Sequence, residues 1–374
     1  MKFIHVSDLH LGKRLHEASL IEDQQAILKQ ILSIIDEEKP IGVLVAGDIY
    51  DKSMPSAEAV SLFDFFLGEL ARRRLEVFVI SGNHDSAERI AFGAKIMDGV
   101  GIHLSPVYDG TITPTTLRDE EGEVDVYMLP FVKPSHVRRF YGEENVDSYT
   151  DAVRVAVEKM NVDLSKRNVL VTHQFITNAT RSESEESVGG TDNVDASVLS
   201  GFDYVALGHL HSAQFCENGR IRYSGTPLKY SFSEAADTKS VTVVTLGKKG
   251  EEPEIRTVDL KPIRDMRKIR GTFDELTGVM ERTDDYVQIT LTDEDDIPNA
   301  MSRLRAIYPN ALELRYDNTR TRADAEIFGA EDAERKTPFE LFAEFFLDRN
   351  NTEMTEVQKV YVRDLIEKIG EEEV

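Results

Sequence analysis

Two histidines stand one residue apart in Gly208-His209-Leu210-His211, directly after the apolar run Tyr204-Val205-Ala206-Leu207. Imidazoles at the mouth of a strand can ligate a metal, although a His-x-His pair also occurs as a plain surface pair. Four upstream clusters share the arrangement: Asp8-Leu9-His10, Gly47-Asp48-Ile49-Tyr50-Asp51, Gly82-Asn83-His84-Asp85 and Val171-Thr172-His173-Gln174. Their donors are carboxylate, imidazole and amide oxygen, with no thiolate. That set suits Mn²⁺, Fe²⁺, Mg²⁺ or Zn²⁺ rather than a structural zinc-thiolate centre. So many donors fit two metals about 3.5–4 Å apart that share a carboxylate and a water. Such a pair lowers the pKa of the water and neutralises the charge that builds on a phosphodiester under attack. A histidine is the natural acid for the leaving oxygen near neutral pH.

Taken singly, each cluster has a plainer explanation. A strand-end Asp is commonly a helix cap, Asn83-His84-Asp85 fits an ordinary turn, and His173 fits a satisfied core histidine. Five clusters in one order, each after an apolar strand, favour a two-metal phosphoesterase. His5, His16, His103 and His136 lie outside the pattern and are assigned to structure or solvent.

The elements that must position these residues follow from periodicity. Phe3 to Ser7, Ile41 to Ala46 and Val77 to Ile80 read as short buried strands. Between them, apolar residues from Leu20 to Ile35 recur at helical spacing, with Gln24 as a polar exception. A second helix starts at Pro55-Ser56 and carries Val60, Phe63, Leu67 and Leu70 on one face. Alternating strands and helices imply right-handed crossovers and a largely parallel sheet. Open α/β sheets place their sites beyond the carboxyl ends of strands, where these clusters fall. Thr111 to Phe131 alternates like a hairpin around Glu121-Gly122, and Asp151 to Met160 reads as a helix. Asn168 to Thr172 and Tyr204 to Leu207 read as further strands, and Ser182 to Asp192 as a mobile loop. Ser240 to Leu246 and Glu254 to Leu260 read as a second hairpin.

Pro262 marks a boundary. Beyond it the chain reads strand, helix, strand, helix, strand, with no catalytic-looking cluster. Thr337 to Leu347 and Thr355 to Ile369 then form two amphipathic helices separated by Asp348-Arg349-Asn350-Asn351. The first carries Phe339, Leu341, Phe342, Phe345, Phe346 and Leu347, an aromatic stripe suited to its own protein or to a partner.

An apolar fraction of 41% and a charged fraction of 30% describe a soluble globular chain long enough for two or three domains. No stretch approaches the ~20 apolar residues that span a bilayer, and the N-terminus lacks signal-peptide features. The single Cys216 favours a cytoplasmic home. A net charge of −24 argues against simple duplex binding, which rests on Lys and Arg. DNA contact would need local basic patches or a partner chain. The chain has no G-x-x-x-x-G-K-[ST] loop, so any ATP dependence comes from elsewhere.

The ordered set D-x-H, G-D-x-x-D, G-N-H-D, H and G-H-x-H resembles the calcineurin-like metallophosphoesterase superfamily. Its surroundings are similar to the bacterial SbcD nuclease-subunit family: Ser7 to Lys13, Ala46 to Asp51, Ser81 to Ser86, and Tyr223-Ser224-Gly225-Thr226-Pro227-Leu228-Lys229-Tyr230-Ser231-Phe232. The resemblance covers residues 1–260 strongly, and later residues in order and size more than in motif.

It implies an α/β fold with a two-sheet sandwich core flanked by helices, a small α/β capping domain and a C-terminal helical hairpin. The implied domains are 1–261 for the phosphoesterase, 262–325 for a DNA-contacting cap, and 326–374 for a linker and partner-binding helices. By the same resemblance Asp8, His10, Asp48 and His211 would hold one metal. Asp48, Asn83, His173 and His209 would hold the other, with Asp48 shared. His84 would act at the scissile phosphate, with Asp48 and Asp51 completing the catalytic set. Repair relatives in archaea and eukaryotes carry a histidine where this chain has Asp51, which puts that residue's role in question. The implied ion is Mn²⁺. The implied activities are 3′–5′ exonuclease on duplex ends and endonuclease on hairpin and single-stranded DNA. The implied partner is an SbcC-like SMC-family ATPase clasped by the terminal helices, with a homodimer of this subunit in a heterotetramer and no membrane. Arg267, Lys268, Arg270, Arg303, Arg305 and Arg315 would be candidate phosphate contacts. Two alternatives stay open: a stand-alone phosphoesterase on nucleotides or small phosphodiesters, which the charge suits, and a non-catalytic scaffold, which would tend to lose ligands.

Overall fold

A computed structural model describes residues 1–177, 179, 192–216, 219–278, 282–319, 321, 338–350 and 352–372. The expected loop from Ser182 lies outside these residues except for Asp192. Two compact units emerge, one within Met1–Ile263 and one within Arg264–Val374.

The first unit is built on two six-stranded sheets. One runs Glu254–Asp259, Ser240–Thr245, Lys2–Val6, Gly42–Ala46, Glu76–Ile80, Ile102–Leu104 in spatial order. Its last four strands are parallel, and the Ser240–Thr245 hairpin adds to Lys2–Val6 antiparallel. The other runs Gln214–Cys216, Ile221–Tyr223, Tyr204–Gly208, Arg167–His173, Gly122–Leu129, Thr115–Asp119. Its four central strands are parallel and both edges antiparallel. The periodicity alone suggests one parallel sheet. Six strands between Thr115 and Tyr223 instead form a second sheet stacked on the first, as the family resemblance implies, while the later Ser240–Asp259 hairpin returns to the first sheet.

The facing sides of the sheets make one apolar layer. Phe3, Leu44, Ala46, Phe78 and Ile80 meet Val124, Val126, Val169, Val171, Tyr204 and Ala206. Helices cover the outer sides. Ile21–Glu38 buries Ile27, Leu28, Ile31, Leu32 and Ile35. Ala57–Arg72 is capped by the Ser56 hydroxyl, which accepts from Ala59 N. This second helix buries Ala59, Leu62, Phe63, Phe66, Leu67 and Leu70. Val60, expected on that stripe, is 45% exposed, because the buried face is centred on Phe63 and Phe66. Tyr149–Lys159 packs Ala152, Val153, Val155 and Ala156 onto the second sheet's other face.

In the second unit, Met266–Gly271, Tyr286–Leu291 and Ala311–Tyr316 form a parallel three-stranded sheet. One face packs against Phe273, Leu276, Ala300 and Leu304 of two short helices. Lys268, Arg270 and Arg315 share the opposite parity, and Arg270, Thr290 and Arg315 stand in register across the strands. The helices Pro338–Asn350 and Glu356–Glu372 follow. The first continues through Asp348, Arg349 and Asn350, which the periodicity leaves in a loop.

Candidate metal centre

Parallel strands from both sheets end at one edge, and the clusters meet there. Asp8 and His10 follow the strand Lys2–Val6, Asp48 follows Gly42–Ala46, and Asn83 and His84 follow Glu76–Ile80. His173 closes Arg167–His173 and pairs with Gly208 of the neighbouring strand. His209 and His211 therefore emerge beside it. A Cβ on Gly208 would lie 1.9 Å from the Ala46 carbonyl oxygen, so only glycine lets the two sheets approach this closely.

The backbone here is held in an uncommon conformation. Asp8, His10, Asp48 and His209 all have positive φ, at 53°, 41°, 48° and 102°. Outside glycine such residues cost on the order of 1–3 kcal/mol each and persist only where neighbours enforce them. Those neighbours are visible. Asp8 N donates to Gly47 O and His10 N to Asp48 O, each at 3.0 Å. Asp8 accepts from His209 N at 3.0 Å and from the Ser7 hydroxyl, stitching one sheet to the other. Asp85 accepts from Ile49 N, Tyr50 N and Gly82 N at 3.0, 2.9 and 2.9 Å. Gln24, the polar exception on its helix, is buried. Its amide donates to His10 O at 2.7 Å and its carbonyl accepts from Gly12 N at 3.0 Å. A polar residue inside an apolar stripe was its only sequence signal.

Asp48 lies between two groups of donors. Its Oδ2 is 3.7 Å from His10 Nε2 and 3.4 Å from His173 Nε2, while Oδ1 accepts from His84 N at 2.9 Å. On one side, single donor atoms of Asp8, His10 and Asp48 all fall within 4.8 Å of one another. The His211 ring centroid is 5.2 Å from that of His10. On the other side, Asn83 Oδ1 is 2.9 Å from His173 Nε2 and 3.0 Å from His209 Nδ1. His173 Nδ1 donates to Ala46 O at 2.8 Å, which turns Nε2 inward. His84 is exposed at the rim, and its Nδ1 donates to Asp51 O at 3.1 Å. The Asp51 carboxylate pairs with Lys13 Nζ at 2.7 Å and is 3.9 Å from His10 Nδ1.

The residues present fit divalent cations. Both ring nitrogens of His10 are buried and make no hydrogen bond, an arrangement that is costly unless something else meets them. Burial, with Asp48 adding, pushes the Asp8 carboxyl up to about 7. Burial alone would lower His173, yet the Asp48 and Asp8 carboxylates outweigh it and push the imidazole up to about 9. The cluster demands positive charge at its centre. All donors are oxygen or imidazole nitrogen, in keeping with borderline and hard ions.

Two of the histidines outside the pattern are held by other partners. His5 is fully buried, bonded to Tyr204 Oη at 2.8 Å and Leu207 O at 3.2 Å. His103 pairs with Glu76 and Asp98. Of the six candidate phosphate contacts, Lys268, Arg270 and Arg315 share a face. Arg303 stacks over Phe273 at 4.0 Å, and Arg305 Nε donates to Ala311 O at 3.0 Å.

The chain is similar to known proteins. Residues 1–213 match the model of the calcineurin-like phosphoesterase family. Residues 262–350 match a model described as the type 5 capsule protein repressor C-terminal domain. The SbcD subunit of the SbcCD nuclease from Staphylococcus epidermidis is 30% identical over 386 residues, covering 100% of both chains. A solved structure from Thermus thermophilus is 11% identical, with a TM-score of 0.39 over 68% of this chain and 98% of its own. The chain is a metal-dependent phosphodiesterase of the calcineurin-like family and belongs to its branch of SbcD nuclease subunits.

Proposed function

We propose that this chain is the Mn²⁺-dependent DNA nuclease subunit of a complex with an SbcC-like SMC-family ATPase. It cleaves duplex ends as a 3′–5′ exonuclease and hairpins and single strands as an endonuclease, in DNA repair and recombination. The observation that carries this reading is the convergence of two donor groups on Asp48. Asp8, His10, Asp48 and His211 would hold one ion, and Asp48, Asn83, His173 and His209 the other. Ions held there supply Lewis-acid charge, which eases deprotonation of water and offsets the phosphate's negative charge. Asp48 keeps both groups in register through one side chain. His84, oriented by Asp51 O, turns Nε2 to the leaving oxygen; as the imidazolium, with a hydrogen on each nitrogen, it would give up the Nε2 proton and remain the neutral Nδ1–H ring.

Residues 262–325 act as the cap that contacts DNA, through the Lys268, Arg270 and Arg315 face. Arg270 and Arg315 on this face are paired with Asp317 and Glu313, so a phosphate would have to compete with those carboxylates on a chain of net charge −24. Residues 326–374 bind the ATPase. Leu341, Phe342, Phe345, Val357, Tyr361 and Leu365 are left exposed, as a docking hairpin requires. Phe92, Ile96 and Val100 are 85%, 82% and 59% exposed within one short stretch, a surface suited to the homodimer of the subunit.

The net charge also favours a second reading, a stand-alone phosphoesterase on small phosphodiesters. One experiment separates the two. The purified chain, with and without the ATPase, receives Mn²⁺ and is offered labelled hairpin DNA beside a chromogenic phosphodiester. The nuclease reading expects DNA cleavage that the ATPase enhances, and loses if only the small ester is cleaved. His84→Ala should retain two ions but lose cleavage by ~10²–10⁴-fold. Full activity in that variant refutes the role given to His84.

A further inference from the structure

We propose that Glu234 is the positioning residue of His211, and that it sets the affinity of one of the two metal positions apart from the other. The inference rests on the reading that His211 is a metal donor.

Glu234 lies in the short turn Phe232–Ala236, well downstream of the donor clusters, and its side chain is fully buried. A buried carboxylate must be paired or it costs several kcal/mol on the order-of-magnitude scale for desolvated ions. Its Oε1 is 3.1 Å from His211 Nδ1. A carboxylate only accepts, so Nδ1 carries the hydrogen and Nε2 keeps the lone pair, which is the form a ligand needs. Lys239, itself buried, places Nζ 2.6 Å from Glu234 Oε2 and donates to His211 O at 2.9 Å. Thr226 N also donates to His211 O, at 3.0 Å. Ring and main chain of His211 are thus gripped together.

Buried ion pairs add little net stability compared with apolar packing, so stability is a weak reason for placing two charges here. Position beside a donor is a better one. His173, in the other donor group, gives its Nδ1 hydrogen to a neutral carbonyl, that of Ala46. An anionic partner makes an imidazole more basic than a carbonyl does. The group containing His211 therefore has a ligand of different strength.

The test is Mn²⁺ titration of the full chain by calorimetry, with electron paramagnetic resonance to follow coupling between the two ions. Wild type should bind two ions. Glu234→Gln keeps the shape and an accepting oxygen but removes the charge. It should weaken one position by roughly 10-fold and leave the other within twofold, and Glu234→Ala should weaken the same position by up to roughly 100-fold. The weakened position should be the one that His211→Ala empties. If Glu234→Ala does not fold, Glu234→Gln decides alone. Unchanged titration, or equal weakening of both positions, overturns the inference. Wild type binding fewer than two ions instead overturns the metal-centre reading beneath it.

Discussion

Gly82→Ala is the substitution that most directly probes how the centre is held. Gly82 sits where Glu76–Ile80 turns into Asn83-His84. A Cβ there would lie 2.1 Å from Asp48 Oδ1, 2.4 Å from Asp48 N and 2.8 Å from Asp48 Cγ, far inside ordinary contact. Asp48 has no easy retreat. Its φ is +48°, and Oδ1 already accepts from His84 N. Gly82 is itself tied down, because its N–H donates to Asp85. The strain must move the backbone of one loop or the other. Overpacking of this kind costs ~1–3 kcal/mol, and each kcal/mol lowers the melting temperature of a unit this size by roughly 2–4 °C. A shift of about 1 Å in a positioned group costs ~10²-fold in rate. Both donor groups contain Asp48, so both ions should bind more weakly. Thermal melts, Mn²⁺ titration and hydrolysis of a chromogenic phosphodiester read these three effects. Gly68→Ala is the control. Gly68 lies inside the helix Ala57–Arg72, and a Cβ there meets nothing within 4 Å. That variant should gain ~0.5–1 kcal/mol, since alanine suits a helix better than glycine. Wild-type affinity, rate and melting temperature in Gly82→Ala would refute the view that close packing of Gly82 fixes Asp48.

Two further expectations follow. Burial first, and Arg222 next, lower the His5 pKa from 6.5 to about 3. The folded state then binds fewer protons than the unfolded one between those values. Stability from this site is complete above pH 6.5 and falls with decreasing pH, by at most ~1.4 kcal/mol per pH unit. His5→Gln should flatten that slope in metal-free melts between pH 7.5 and 5, and parallel wild-type and variant curves would count against it. Truncation from Thr337 onward should leave Mn²⁺ binding and small-ester hydrolysis unchanged while abolishing co-purification with the ATPase. Retained co-purification would place the partner surface elsewhere.

The candidate donors and their strand-end setting are legible in the sequence because both are local. Runs such as Val77-Phe78-Val79-Ile80 are apolar on both faces, so they read as buried strands whatever they pair with. The residues just past them are then candidates for a site. The hairpins and the small α/β unit are legible for the same reason. Strand pairing is not local. Nothing between Asn168 and Leu207 in the sequence marks those strands as belonging to a second sheet, since periodicity reports neighbours along the chain only. The Val60 error has the same origin: spacing marks an apolar face, but only packing decides where its centre lies. Tertiary structure alone brings His173 and His209 to Asn83, and His211 to His10, with Asp48 between. It also supplies the partners that hold the donors, Gln24 beneath His10 and Glu234 behind His211. Each is remote in sequence from the residue it holds, and each is buried in a place that only the closed fold creates.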